Sequence, residues 1–383
     1  MDFFMFHLMP YPHVPANFDE YETSWLTYPN KHFDPNKGHL LYHQYLDQLE
    51  YAEELGFDGI CVNEHHQTTY GMMPSPNVMA GLLARRTSKV KIAMIGNALP
   101  LRDHPLRVAE EVAILDVVTG GRVVSGFVRG IGVEYFTFAS NPAHSRDRFN
   151  EAHDLIIKSW TSDEPFAWTS KHYRFPYVNI WPRPLQQPHP PIWVPGYGST
   201  ETLDWVAKHR YTFMSVYAPT ALTKRWLDML REAAGRHGYE ADPKQIGSLL
   251  PIYMAETEQE AHEHAEQHLM WLFHVGLKHK LEYLFPPGYM SVGSMRGMMT
   301  AGIKPFGLYT YKELIDEGYA IVGTPDQVRE KLTELHDLLG FGTMATLLQF
   351  GDMPHDRAIR NMELFASEIM PALRGRVPAV AGA

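Results

Sequence analysis

Two kinds of segment alternate along the chain. Short, nearly continuous apolar runs are separated by longer stretches whose apolar positions recur at helical spacing. The short runs predict strands over 3–8, 58–62, 90–99, 122–128, 191–195, 211–216, 247–254 and 343–350. The longer stretches predict helices over 42–55, 76–86, 105–118, 146–160, 200–208, 220–237 and 357–373. In the first helix Tyr45, Leu46, Leu49 and Ala52 share one face, and Gly56 follows as a stop signal. The stretch 165–190, rich in proline and aromatics, reads as a loop.

Strands buried on both faces and alternating with helices point to a parallel sheet. Eight of them predict an α/β fold closed into a (β/α)8 TIM barrel. An open, doubly wound sheet is the competing arrangement. One domain over 1–383 is expected, with a long insertion at about 256–328 before the last strand. That insertion is too long for a plain connection. It carries Tyr283, Tyr289, Met290, Met295, Met298, Met299 and Gly302, and in a barrel it would shape the mouth.

Composition narrows the function classes. Apolar residues make up 45% and charged residues 20%, the balance of a folded soluble chain. The formal net charge is −10 and no Lys/Arg cluster stands out, which argues against nucleic acid as a partner. The single cysteine, Cys61, permits no intrachain disulfide and suits a reducing cytoplasm. The apolar start Met1–Phe6 lacks a basic lead and reads as a first strand. No apolar run is long enough to span a membrane.

Barrel chemistry sits at the C-terminal strand ends. After the second strand comes Asn63-Glu64-His65-His66. Successive strand side chains face opposite ways. Bulky Ile60 and Val62 suit the helix layer, so Gly59, Cys61, Asn63 and His65 face the barrel. His65 is then the candidate catalytic group, with His66 and Glu64 as supports. No metal is expected, because adjacent histidines do not make a spaced ligand motif. Asn97 ends the third strand and would hold either the ring edge of a cofactor or a neighbouring strand. Arg129 ends the fourth and would pair with a phosphate or with a carboxylate such as Glu110 or Glu111. Gly196-Tyr197-Gly198-Ser199-Thr200 opens a helix whose free N–H groups form an anion site. His7, Met9, Met72 and Tyr289 are candidate substrate contacts.

Several of these segments occur in an order that resembles the bacterial-luciferase-like flavin monooxygenases. They are 63–71, Leu99-Pro100-Leu101-Arg102-Asp103-His104-Pro105, 115–122, Val128-Arg129-Gly130, Val322-Gly323-Thr324-Pro325 and 350–354. The resemblance implies a TIM barrel that binds reduced FMN supplied by a separate flavin reductase. It implies O2 as co-substrate, activated as a flavin peroxide that oxygenates a small, largely apolar organic molecule. It also implies a homodimer or homotetramer, His65 in the flavin–oxygen chemistry, and Arg129, Ser199 and Thr200 at the phosphate. Two positions depart from the luciferases: Val128 replaces a reactive cysteine and Gly196 an acidic residue, so light emission is not implied. Rival readings are a deazaflavin-dependent hydride-transfer enzyme, a non-catalytic flavin-binding protein and a metal-dependent hydrolase.

Overall fold

The computed structural model describes residues 1–291, 293, 296 and 304–376. Eleven strands are numbered in chain order. Eight of them close a parallel barrel: β1 (Asp2–Phe6), β2 (Gly59–Val62), β3 (Lys91–Ala98), β4 (Val123–Val128), β7 (Ile192–Gly196), β8 (Thr212–Val216), β9 (Ile246–Met254) and β11 (Thr343–Leu347). β8 pairs with β9, β9 with β11 and β11 with β1, so the sheet has no open edge and the doubly wound alternative falls. Helices α1 (Pro35–Glu54), α2 (Pro76–Arg86), α3 (Leu106–Thr119), α5 (Ser145–Thr161), α6 (Thr200–His209) and α7 (Thr220–Arg236) lie between the strands. The short α4 (Glu134–Thr137) follows β4, and α8 (Glu258–Trp271) follows β9.

Three local expectations change. The stretch read as a loop contains an antiparallel hairpin, β5 (Phe166–Thr169) with β6 (Arg174–Val178). Its half-buried Phe166 and Trp168 alternate with exposed Ala167 and Thr169, a period of two masked by the surrounding prolines. The insertion contributes a ninth sheet strand, β10 (Ile321–Gly323), paired in parallel with the end of β9. Helix α1 begins at Pro35 rather than 42, capped by the Asp34 side chain, which accepts from the Asn36 N–H at 2.9 Å. Its polar first turns hide that start from a pattern of apolar positions.

Strand alternation divides the core in two. Phe4, Phe6, Cys61, Ala93, Val124, Met214 and Leu347 fill the barrel interior. Phe3, Met5, Ile60, Val62, Ile92, Phe213 and Met344 face the helices. The N-terminal end of the barrel is tied by Arg122, whose guanidinium donates to the carbonyls of Thr119, Val90 and Thr87 at 3.1, 2.7 and 3.0 Å. The 115–122 motif therefore stabilises the end opposite the mouth.

Between β3 and β4 the backbones approach closely at Gly126, where an added Cβ would lie 2.1 Å from the Met94 carbonyl oxygen. Backbone on both sides leaves no side chain to yield. Gly126→Ala is expected to cost about 3 kcal/mol, the upper range for overpacking. Urea unfolding with an unchanged midpoint would contradict this.

Candidate active site

The β2 parity carries past the strand end. Glu64 turns to the β3 side and is buried. Its Oε1 meets His66 Nε2 at 2.8 Å, and its Oε2 accepts from Arg102 at 2.6 Å and from the Ala98 N–H at 3.2 Å. This buried charge is paired from three sides, as burial requires. His66 is held with it, its ring 4.7 Å from that of Phe138. His65 turns the other way. Its Nδ1 lies 3.1 Å from Oε1 of Glu134, the first residue of α4, whose Oε2 accepts from the Ile131 N–H at 2.9 Å. Among the described residues His65 Nε2 has no hydrogen-bond partner.

Aromatic rings wall this imidazole. Trp25 and Tyr70 lie edge-on at 5.4 and 5.0 Å, and His279 packs on Trp25 at 4.7 Å. Trp25 Nε1 and Ser24 Oγ both donate to the Gly276 carbonyl at 2.9 Å. The loop after β1 thereby grips the insertion beside His65. Further along the insertion, Tyr289 donates from its hydroxyl to the Gly130 carbonyl at 2.6 Å. Met295, Met298, Met299 and Gly302, named above for this insertion, lie outside the described residues.

A second cluster forms at the ends of β4 and β7. The Arg129 guanidinium donates to Ser145 Oγ at 3.1 Å and to the Tyr289 carbonyl at 3.3 Å, and lies 4.7 Å over the Tyr289 ring. Neither Glu110 nor Glu111 reaches it; both pair with Arg107. Beside it, Arg146 donates to Ser199 Oγ at 3.4 Å and to Thr202 Oγ1 at 3.3 Å. Ser199 caps α6. Gly198 packs under Trp226, where a Cβ would lie 2.1 Å from the indole, so only glycine fits. Tyr197 is half exposed, its ring edge-on to Trp226, while Gly196 ends β7 and Thr200 opens α6. Burial and the neighbouring Arg129 charge hold the Arg146 pKa below its usual value. Among the described residues neither arginine has a carboxylate in ion-pair range, and Glu201 in the first turn of α6 offsets the lowering of Arg146 only in part. Two adjacent cations with hydroxyl partners, at the start of a helix, fit a phosphate.

Four expected site residues lie elsewhere. Asn97 exchanges hydrogen bonds with Asn77 of α2, at 3.0 and 3.1 Å, so its amide ties β3 to the helix layer. His7 is fully buried against α1, with Nε2 2.8 Å from Gln48 Oε1 and Nδ1 accepting from the Met9 N–H at 2.8 Å. Met9 and Met72 pack into the helix-side core with Tyr45. Only Tyr289 of the four candidate substrate contacts joins the mouth.

The sequence reading missed Arg146, Glu134 and Trp25. Arg146 carried a signal: a cation in the first turn of a helix opposes the helix dipole and asks for a partner. Glu134, alone among apolar neighbours, offered a weaker one. Trp25 sits in a loop without periodicity and offered none.

The sequence profile of the luciferase-like monooxygenases matches residues 24–340. The chain belongs to that family. An alkanal monooxygenase alpha chain from the Kryptophanaron alfredi symbiont is 26% identical over 84% of this chain and 90% of its own. Monooxygenase RslO1 from Streptomyces bottropensis is 25% identical, with a TM-score of 0.72 over 97% of this chain and 99% of that one. The oxygenating constituent of 3,6-diketocamphane monooxygenase from Pseudomonas putida, solved with FMN, shares the fold at 20% identity, with a TM-score of 0.72 over 97% and 98%. This luciferase-like chain is thus an oxidoreductase of a flavin-dependent monooxygenase family.

The buried His7 gives this family member an acid liability. Burial lowers its pKa from 6.5 to about 4, so it stays neutral in the fold while the unfolded chain takes up a proton. Its stabilising contribution is complete above pH 6.5 and is lost as pH falls from about 6.5 to 4, by about 1.4 kcal/mol per unit. His7→Asn should be less stable at neutral pH but flatter over that window. Equal slopes in denaturant titrations across pH would refute the assignment.

Proposed function

We propose that this protein uses reduced FMN and O2 to oxygenate a small, largely apolar organic substrate, with the flavin supplied by a separate reductase. The observation that carries this reading is the Arg129–Arg146 pair at the start of α6, two cations with no carboxylate in ion-pair range among the described residues. Such a donor set suits a phosphate such as that of FMN. The diketocamphane relative supports both the cofactor and the division of labour, being the oxygenating constituent of its enzyme and complexed with FMN. When bound, reduced FMN would supply the electrons that activate oxygen.

The protein's own part is to bind, orient and manage protons. Arg129, Arg146, Ser199 and the first N–H groups of α6, Thr200 among them, hold the phosphate. Glu134 accepts the Nδ1 proton of His65, which fixes the tautomer and leaves Nε2 to accept or return a proton. Trp25 and Tyr70 keep water from that nitrogen. The insertion forms part of the mouth, latched by Tyr289 onto Gly130. His66 and Glu64 support the loop beneath. The free, buried Cys61 is consistent with a cytoplasmic setting. Exposed Val78, Leu82, Ile114 and Val117 on the neighbouring helices α2 and α3 support pairing into a homodimer or homotetramer.

Arg129→Ala and Arg146→Ala should each weaken FMN binding by at least about tenfold, the scale of a charged hydrogen bond. Undiminished affinity in fluorescence titrations would take that arginine out of the phosphate site. His65→Ala should bind FMN normally, yet release hydrogen peroxide in place of oxygenated product. Glu134→Gln should do so in part and shift the pH profile of coupling. The reading itself is tested by supplying reduced FMN and oxygen with a panel of ketones, aldehydes, phenols and terpenes. Turnover with a reduced deazaflavin in the absence of oxygen would replace it.

A further inference from the structure

The innermost part of the mouth holds polar atoms that neither fold nor phosphate site uses. β11 was expected to run to 350 but ends at Leu347, and Gln349 follows at a bend. Gln349 is 0% exposed, and among the described residues neither its Nε2 nor its Oε1 has a hydrogen-bond partner. Asn63, 4% exposed, leaves its Oδ1 unpartnered in the same sense. An unmatched buried amide costs several times what a matched one contributes, so two at one end of a barrel ask for a ligand.

Both residues lie on the inward side of the two staves that flank β1. Phe6 of β1 is in register with Leu347 on one side and Cys61 on the other, and all three fill the barrel interior. Two residues further along each strand come Gln349, Leu8 and Asn63, and Leu8 belongs to that same interior cluster. Leu348 faces the opposite way, into the helix-side core, with its carbonyl bonded to Asn361 at 2.9 Å. Alternation therefore turns Gln349 inward. Asn63 precedes His65 by two residues and so stands one layer deeper than it. The phosphate cluster sits across the ring, at the ends of β4 and β7.

We propose that Gln349 and Asn63 are specificity-determining residues that bind the polar end of the substrate. Resting on the function proposed above, this gives the substrate a chemical class: an apolar body carrying a carbonyl or ether acceptor together with a hydroxyl or N–H donor. Gln349 Nε2–H donates to the acceptor, and either Gln349 Oε1 or Asn63 Oδ1 accepts from the donor. Plain hydrocarbons and simple alkanals leave these atoms unmatched and are rejected, since a buried polar site discriminates strongly against a ligand that lacks the matching group.

Equilibrium binding to the FMN-loaded, oxidised protein tests this with two probes of similar shape, 4-hydroxyacetophenone and 4-ethyltoluene. It needs neither reductant nor turnover, so a failure of the oxygenation reading would not disturb it. The wild type should prefer the hydroxyketone by at least about tenfold. Gln349→Leu, and separately Asn63→Leu, should lose or invert that preference. Both variants should melt no lower than the wild type, because each replaces an unmatched amide with an apolar group. Gln349→Met serves if Leu fails to fold. No binding of the hydroxyketone, equal affinity for the two probes, or an unchanged preference in the variants overturns the proposal. Weakened FMN affinity in Gln349→Leu also overturns it, by assigning the amide to the flavin.

Discussion

Closure of the barrel is the constraint on which everything else rests. Once β8 hydrogen-bonds to β9 and β11 to β1, every barrel strand is covered on both faces and all eight C-terminal ends meet at one rim. Residues far apart in sequence become neighbours without any segment reaching for another. Arg129 from the fourth strand end meets Ser145 and Tyr289, and His65 from the second meets Glu134. The alternation of side chains along each strand then sorts the rim. Glu64 and His66 fall to the structural side, while Asn63 and His65 fall to the open one.

That sorting explains what could be read from the sequence. A period of two needs no tertiary knowledge, so Ile60 and Val62 could be assigned outward and His65 inward from the residues alone. The eight strands were legible for a similar reason, since buried parallel strands are continuous in apolar character. Other features depend on partners that periodicity does not reveal. Asn97, a polar residue at a buried strand end, had two solutions, and the structure matches it with Asn77. His7 and Met9 share the outward parity of Phe3 and Met5, and the same alternation carries them to the helix side beneath α1. Arg146 was hidden inside an ordinary amphipathic helix, and its meaning emerges only beside Arg129.

The charges at the mouth divide into two regimes. Around Glu64 each carboxylate oxygen has a partner within the fold. Around Arg129 and Arg146 the positive charge exceeds what the hydroxyls can balance. The contrast within one rim separates scaffold from binding site more cleanly than residue type does, since both clusters are built from arginine and buried polar groups.

The Trp25–Gly276 hydrogen bond joins positions 251 residues apart. A nascent chain has completed the second, third and fourth strand ends long before Gly276 leaves the ribosome, so the wall around His65 is missing until synthesis is well advanced. Contacts of such separation form late, because the entropy of closing so large a loop must be met before they add stability. The scaffold beneath His65 and its shelter from water therefore belong to different stages of folding. The indole beside the imidazole is held by a hydrogen bond that can form only after most of the chain has been made.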